Sequence, residues 1–335
     1  MLRKTETGAG ADLDGAGALE GLRDLAVAGI GVPPGISLAG GESQRDAAAR
    51  ELDDLFTRFD RAHRAPLRAW AQAHLAPRRP VTTVFYPFGG PDFCLPHALF
   101  PQAREFILVG VEPCAWAEGF DLDFAATVAA ARHYLDFSYF ITKDLRASIH
   151  TFGGAGVLPL LLVQIARCGL AVLKIEPLGA DARGVVVTFG DAARPQRLTY
   201  VQQDLRDGHW AAGHGLHGRL AAAGELAVFV KSASYLLHEA PFEALRSVIR
   251  ERAALVVQDP SGVPYELLRS WGWTVDLFGC FTRDIPVFSR YDQSALAAAY
   301  RSRASEPLGF GIGYLFEPSG ASLMVAAPPE GPCAS

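Results

Sequence analysis

The sequence predicts an α/β protein: an open, mostly parallel sheet with helices on both faces, a helical extension before it and a β-hairpin at its C-terminal end. Two observations carry this. Short, nearly unbroken apolar runs rich in β-branched residues recur at VTTVFY (81–86), EFILVGV (105–111), LAVLKI (170–175), LAVFV (226–230) and ALVV (254–257). Strands of that kind are buried on both faces, as in a parallel sheet covered by helices. Helical patterns at 122–136, 155–168, 241–252 and 263–271 alternate with these runs, and such alternation builds doubly wound sheets.

The preceding segment has a different period. Leu52, Leu55, Phe56, Phe59, Leu67 and Trp70 fall at three- and four-residue steps among Arg and Asp, which predicts a helical extension over 41–79 whose apolar face packs on the main domain. Pro77 and Pro80 end it. Residues 1–40 begin with a Gly/Ala/Asp-rich stretch without apolar period and are expected to be irregular. The main domain is expected over 80–328, with 329–335 as a tail. Two pairs of runs read as antiparallel hairpins: GVVVTFG with RLTYVQQ, and GIGYLFE with SLMVAA around Pro318-Ser319-Gly320.

Composition excludes several classes. Of the 335 residues, 31 are basic and 36 acidic, a net charge of −5, which argues against a broad nucleic-acid surface. Five widely spaced cysteines without a CxxC pair support neither a zinc ribbon nor a dithiol redox site, and read as buried thiols. His209, His214 and His217 sit in a Gly-rich stretch with no completing ligand, so adventitious metal affinity is expected rather than a built metal site. The uncharged run 147–166 contains Pro159, Gln164 and three glycines, and reads as a buried helix, not a membrane span. The first 30 residues carry acids and lack a continuous apolar core, so a cytoplasmic chain is expected, or a periplasmic one if a start lies upstream with a signal peptide. G-x-S-x-G and P-loop strings are absent, which disfavours an α/β-hydrolase and a typical nucleotide triphosphatase.

The candidate site lies where the core strands end. Each hands over to a polar residue: β-run 81–86 to Gly89-Gly90-Pro91-Asp92, 105–111 to Glu112, 170–175 to Glu176, 226–230 to Lys231-Ser232-Ala233-Ser234-Tyr235, and 254–257 to Gln258-Asp259. In an open α/β sheet that edge holds the ligand crevice. Polar residues at strand ends are also ordinary exits from a core. Gly89-Gly90 lets backbone approach a ligand closely, and Glu112 follows Gly90 by 22 positions, a Rossmann-like spacing that places a carboxylate on a ribose diol. The full G-x-G-x-x-G is missing and Pro91 removes one donor. Lys231, leaving an apolar strand, reads equally as a ligand contact or acid/base group and as a structural ion pair. Tyr235 and Ser234 could add hydroxyl contacts.

The strings VFYPFGGPDF, VGVEP, YFITKDL, FVKSASYLLH, VVQDPSGVPY and LGFGIGYLFEPSGASLMVAA resemble, in this order, a family of uncharacterised bacterial proteins with YPFxGPDF, GxEP, KSASYL and QDxSG strings. The resemblance covers about residues 80–327 and implies no established activity. More remotely, the strand–loop–helix with an acid on the second strand and a terminal β-hairpin looks like the class I S-adenosylmethionine-dependent methyltransferase fold. That likeness implies a small-molecule methyltransferase with S-adenosylmethionine held by Gly89, Gly90, Asp92 and Glu112, and a substrate side lined by Lys231, Tyr235 and Asp259. The alternatives are a non-catalytic binding protein on the same fold, and a cofactor-independent hydrolase or lyase using Asp92, Lys231 and Asp259. The expected partner is a small molecule; oligomeric state is left open.

Overall fold

A computed structural model describes residues 42–78, 80–115, 124–137, 156–179, 182–210, 215–281 and 285–329. The expectations for 1–40, YFITKDL (139–145), His214 and most of the tail lie outside the described residues. Helix α1 (Glu42–Phe59) continues through a π-helical turn, Asp60–Arg64, into α2 (Ala65–His74). Then come β1 (Thr83–Tyr86), α3 (Cys94–Leu99), β2 (Glu105–Gly110), α4 (Phe124–Phe137) and α5 (Leu158–Arg167). Strands β3 (Val172–Pro177), β4 (Gly184–Asp191) and β5 (Arg194–Gln202) form a meander. Helices α6 (Asp207–Trp210) and α7 (Gly215–Ala222) lead into β6 (Leu226–Val230). The chain closes with α8 (Glu243–Arg252), β7 (Ala253–Gln258), α9 (Tyr265–Ser270), β8 (Thr274–Gly279), α10 (Ser294–Ser302) and β9 (Ser322–Ala327).

The nine strands form one mixed sheet in the order β3-β4-β5-β2-β1-β6-β7-β9-β8. Its centre, β5-β2-β1-β6-β7, is parallel throughout, whereas β4 and β9 run against both of their neighbours. Central strands are buried on both faces, and the alternation of side chains sorts them into two cores. Val84, Tyr86, Phe106, Leu108 and Phe229 face one cluster, with α1, α2, α4 and α5. Phe85, Ile107, Val109, Val228 and Val230 face the other, with α7, α8 and α9.

All six apolar positions of the N-terminal helical period are buried. Phe59 meets Tyr134 of α4 with ring centroids 5.9 Å apart, and Trp70 stands edge-on to Phe278 of β8 at 5.0 Å. The helical layer is therefore part of the core it covers. Trp70→Ala is expected to lower the unfolding free energy by about 3–5 kcal/mol, read as a shift of a single urea transition. A small early transition with the main one unmoved would mean that the layer unfolds independently.

Two expectations need correction, and a third, the GVVVTFG–RLTYVQQ hairpin, is present with an additional pairing. LAVLKI does not form a central parallel strand: β3 is the sheet edge, antiparallel to β4, with only Val172 and Ile175 of its six residues fully buried and a register shift between Val172 and Lys174. Its side chains face a core on one side only, so Lys174 and Glu176 stay in solvent and pair with each other at 2.7 Å. RLTYVQQ does form a hairpin with GVVVTFG, but its strand, β5, is also the parallel neighbour of β2. GIGYLFE is not a strand partner of SLMVAA; β9 pairs with β7 and β8 instead. Residues 311–316 fold into a tight loop closed by an Ile312–Leu315 bridge. Tyr314 anchors it, its hydroxyl accepting from Ser234 N at 2.9 Å and donating to Ser232 O at 3.0 Å.

Candidate functional site

The carboxyl ends of β1, β2, β5 and β6 surround a cavity of about 340 Å³. It lies where the chain order reverses: β1 is flanked by β2 on one side and β6 on the other, the position at which open α/β sheets leave a crevice. Its walls come from Phe88-Gly89-Gly90, Gly110-Val111-Glu112, Gln203–Arg206 and Lys231–Ser234, with Asp92 at the base.

On one wall, Glu112 is buried, and its Oε2 lies 3.4 Å from the Tyr200 hydroxyl, which also donates to the Glu112 carbonyl at 3.1 Å. Burial and the adjoining carboxylate push the Tyr200 phenol well up, so it stays a donor. Two glycines make room for this carboxylate. A Cβ on Gly110 would stand 2.7 Å from Glu112 Oε2 and 2.3 Å from the Tyr200 hydroxyl. Gly90 takes φ +52° with the same carboxylate oxygen beside it, and its N–H donates to Val109 O at 3.1 Å. Gly89 lies over the Tyr86 ring.

At the base, Lys231 Nζ sits 3.0 Å from Asp92 Oδ2, both side chains 1–2% exposed. Tyr86 donates to the same oxygen at 3.1 Å, Tyr134 donates to Oδ1, and the ammonium lies 5.8 Å over the Tyr134 ring. Burial, then the Asp92 charge, pushes both phenols well above their ordinary range. Asp92 thus accepts from two phenol hydroxyls and pairs with one lysine, the kind of partnering that a buried ion pair requires.

The loop after β6 is strained and pinned. Ser232, Ser234 and Tyr235 adopt φ of +49°, +51° and +55°, conformations that cost non-glycine residues about 1–3 kcal/mol each and cluster at functional sites. Its N–H groups are held from below: Ser232 N by Asp259 Oδ2 at 2.9 Å, Ala233 N by Ser261 Oγ at 2.8 Å, Ser234 N by Tyr314. Asp259 also accepts from Ser261 N and Oγ at 2.9 and 2.5 Å. Burial raises its carboxyl above the usual range, opposed by these hydrogen bonds and by Lys231.

Of the residues singled out from the sequence, Gly89, Gly90, Asp92, Glu112 and Lys231 line the one cavity. Asp259 and Tyr235 line a neighbouring space of about 20 Å³. Asp259 acts on the cavity through Ser232, and the Tyr235 ring stacks on Tyr291 at 5.1 Å. Glu176 is remote, on the sheet edge. His209 stands 3.7 Å from Asp204.

Sequence reasoning missed the β5 side of the cavity, Gln203–Arg206, because a hairpin strand was not expected to join the parallel centre. It also missed Tyr86 and Tyr134, which approach Asp92 from β1 and α4. Gln203 and Ser232 line the cavity, and their Oε1 and Oγ atoms are buried without a hydrogen-bond partner in the protein. Among the described residues, no helix is long and apolar enough to cross a membrane. No family model matches the chain, and no curated protein or solved structure matches it.

Proposed function

We propose that the cavity holds the adenosyl portion of S-adenosylmethionine and that the chain transfers a methyl group to a small molecule seated toward Lys231. The observation that carries this reading is the Glu112 carboxylate at the end of β2, set between Gly90 and Gly110 in the cavity wall. A carboxylate there, beside backbone without a Cβ, suits a vicinal diol brought close to the β1 loop. The central strand order, reversing at β1 with an antiparallel strand inserted near the far edge, supports a Rossmann-like, class I methyltransferase-like sheet. The volume lies at the low end for small-molecule sites. Gln203 Oε1 offers an acceptor to a ligand N–H, and Ser232 Oγ a hydroxyl to a second polar group.

When bound, the cofactor supplies an electrophilic methyl group. The chain's own residues would hold and orient: Glu112 and the glycine loop the sugar, and Lys231, fixed by Asp92, an electron-rich or anionic substrate group. Methyl transfer depends chiefly on bringing nucleophile and methyl into line, so no acid/base residue is obligatory. The hydrolase or lyase reading is less well supported, since both Asp259 oxygens are occupied by Ser232 and Ser261. A binding protein without catalysis would share the site but show no turnover.

Titration calorimetry with S-adenosylhomocysteine tests the reading. Micromolar binding is expected, weakened about 10- to 100-fold in Glu112→Gln, the range for losing a charged hydrogen bond. No heat at millimolar ligand, or equal affinity in the variant, would overturn it.

A further inference from the structure

Behind the Asp92 loop, away from the cavity wall, lies a cluster that the proposed reaction does not use. Cys94, at the start of α3, and Cys168, just past the end of α5, place their sulfurs 3.9 Å apart. Arg64, from the π-helical turn, donates to Cys168 Sγ at 3.1 Å and to Arg167 O at 2.8 Å, and is itself held by Asp60 at 2.5 Å. His97, one turn along α3, is buried, and its Nδ1 has no hydrogen-bond partner. Cys94 is fully buried, whereas Cys168 is partly open.

We infer that Cys94 and Cys168 form a peroxide-oxidisable thiol pair, with Cys168 the attacking sulfur and Cys94 the resolving one. A guanidinium in contact with one sulfur of a close pair is the setting in which that sulfur carries the thiolate. The electrostatics agree. The hydrogen bond with Cys94, then His97 and Arg64, holds the Cys168 thiol well below its ordinary range, while burial pushes Cys94 up.

The chemistry closes with a peroxide as oxidant. The Cys168 thiolate attacks a peroxide oxygen; an S–O bond forms, the O–O bond breaks, and the departing hydroxide takes a proton to become water. Cys94 then attacks the sulfenic sulfur; the S–S bond forms, the S–O bond breaks, and the second water leaves with the Cys94 proton. Two thiols lose two electrons, and one hydrogen peroxide becomes two waters. The sulfurs, 3.9 Å apart, must close to about 2 Å.

The link would act on the site through α5. Gln164 Oε1 accepts from Phe93 N and Cys94 N at 2.8 and 2.9 Å, and its Nε2 donates to Pro91 O at 2.7 Å. The segment carrying Asp92 is thus already held on α5, and a disulfide one turn further along would fasten it covalently.

The test treats the reduced full-length chain with one equivalent of hydrogen peroxide at neutral pH, then N-ethylmaleimide, with non-reducing peptide mass spectrometry. The expected product is a Cys94–Cys168 linked peptide, two hydrogens lighter than its parts, while the exposed Cys280 is recovered alkylated. In Cys94→Ala, Cys168 is expected to be trapped by dimedone as the sulfenic acid. Arg64→Gln is expected to slow the reaction about tenfold by reducing the thiolate fraction. If its melting curve shows misfolding, Arg64→Lys takes its place and retains more of the rate. Recovery of both cysteines alkylated, oxidation of Cys280 first, or a rate unchanged without the Arg64 charge would overturn the assignment. None of these readouts depends on S-adenosylmethionine binding.

Discussion

Lys231→Met is expected to destabilise the fold by about 3–5 kcal/mol, because it leaves the buried Asp92 carboxylate without its cation. The two phenols would remain, but neutral donors do not replace the ammonium at 3.0 Å. The double variant Asp92→Asn/Lys231→Met removes both charges and is expected to recover most of the loss, since a missing pair costs far less than a broken one. Urea unfolding of wild type, both single variants and the double variant measures this cycle. A cost below about 1 kcal/mol for Lys231→Met, the range of surface ion pairs, would mean that water reaches the pair.

Gly110→Ala should damage the cavity more than its size suggests. In an ordinary strand the change is neutral or mildly favourable, because alanine loses less conformational freedom on folding. Here the added methyl would meet the Tyr200 hydroxyl, Glu112 Oε2 and the Gly90 Cα, the last at 3.0 Å. The backbone of Gly90 cannot yield cheaply, so the carboxylate and phenol must. Overpacking of this kind costs about 1–3 kcal/mol, and displacing Glu112 should reduce S-adenosylhomocysteine affinity by about 10- to 100-fold. Melting curves and calorimetry read the two effects separately. Gly208, with open space where a Cβ would go, provides the control: its alanine variant should bind as wild type does. If Gly110→Ala also binds unchanged, Glu112 has no part in ligand recognition.

The sequence carried the parts of this structure that local pattern determines. The runs at 81–86, 105–111, 226–230 and 254–257 are the parallel strands β1, β2, β6 and β7, because a strand covered on both faces admits only apolar side chains. Leu52 to Trp70 shows its buried face because helical period is local too. Gly90, Glu112 and Lys231 could be placed on one edge once the strands were taken as parallel. Encounters across long separations carried no such mark. Arg64 reaches Cys168 across 104 positions, and Tyr134 reaches Asp92 across 42. Nothing in the spacing of either pair announces it. The error at GIGYLFE has a related cause: its alternation matched a strand, but the Tyr314 hydroxyl is claimed by Ser232 and Ser234, some 80 residues earlier.

The position of β9 has a consequence for the order in which the protein assembles. It is the ninth strand in sequence, yet it lies inside the sheet between β7 and β8. Until residues 322–327 arrive, β7 exposes an open hydrogen-bonding edge and β8 has no strand partner among the described residues. Closure therefore waits on a non-local pairing, the slowest kind to form. The loop after β6 waits as well, since Tyr314 lies just before β9. From the completion of β7 at residue 258 until residues 322–327 follow, the growing chain thus carries an apolar strand with one open edge, the interval in which chaperone capture or edge-to-edge aggregation competes with folding.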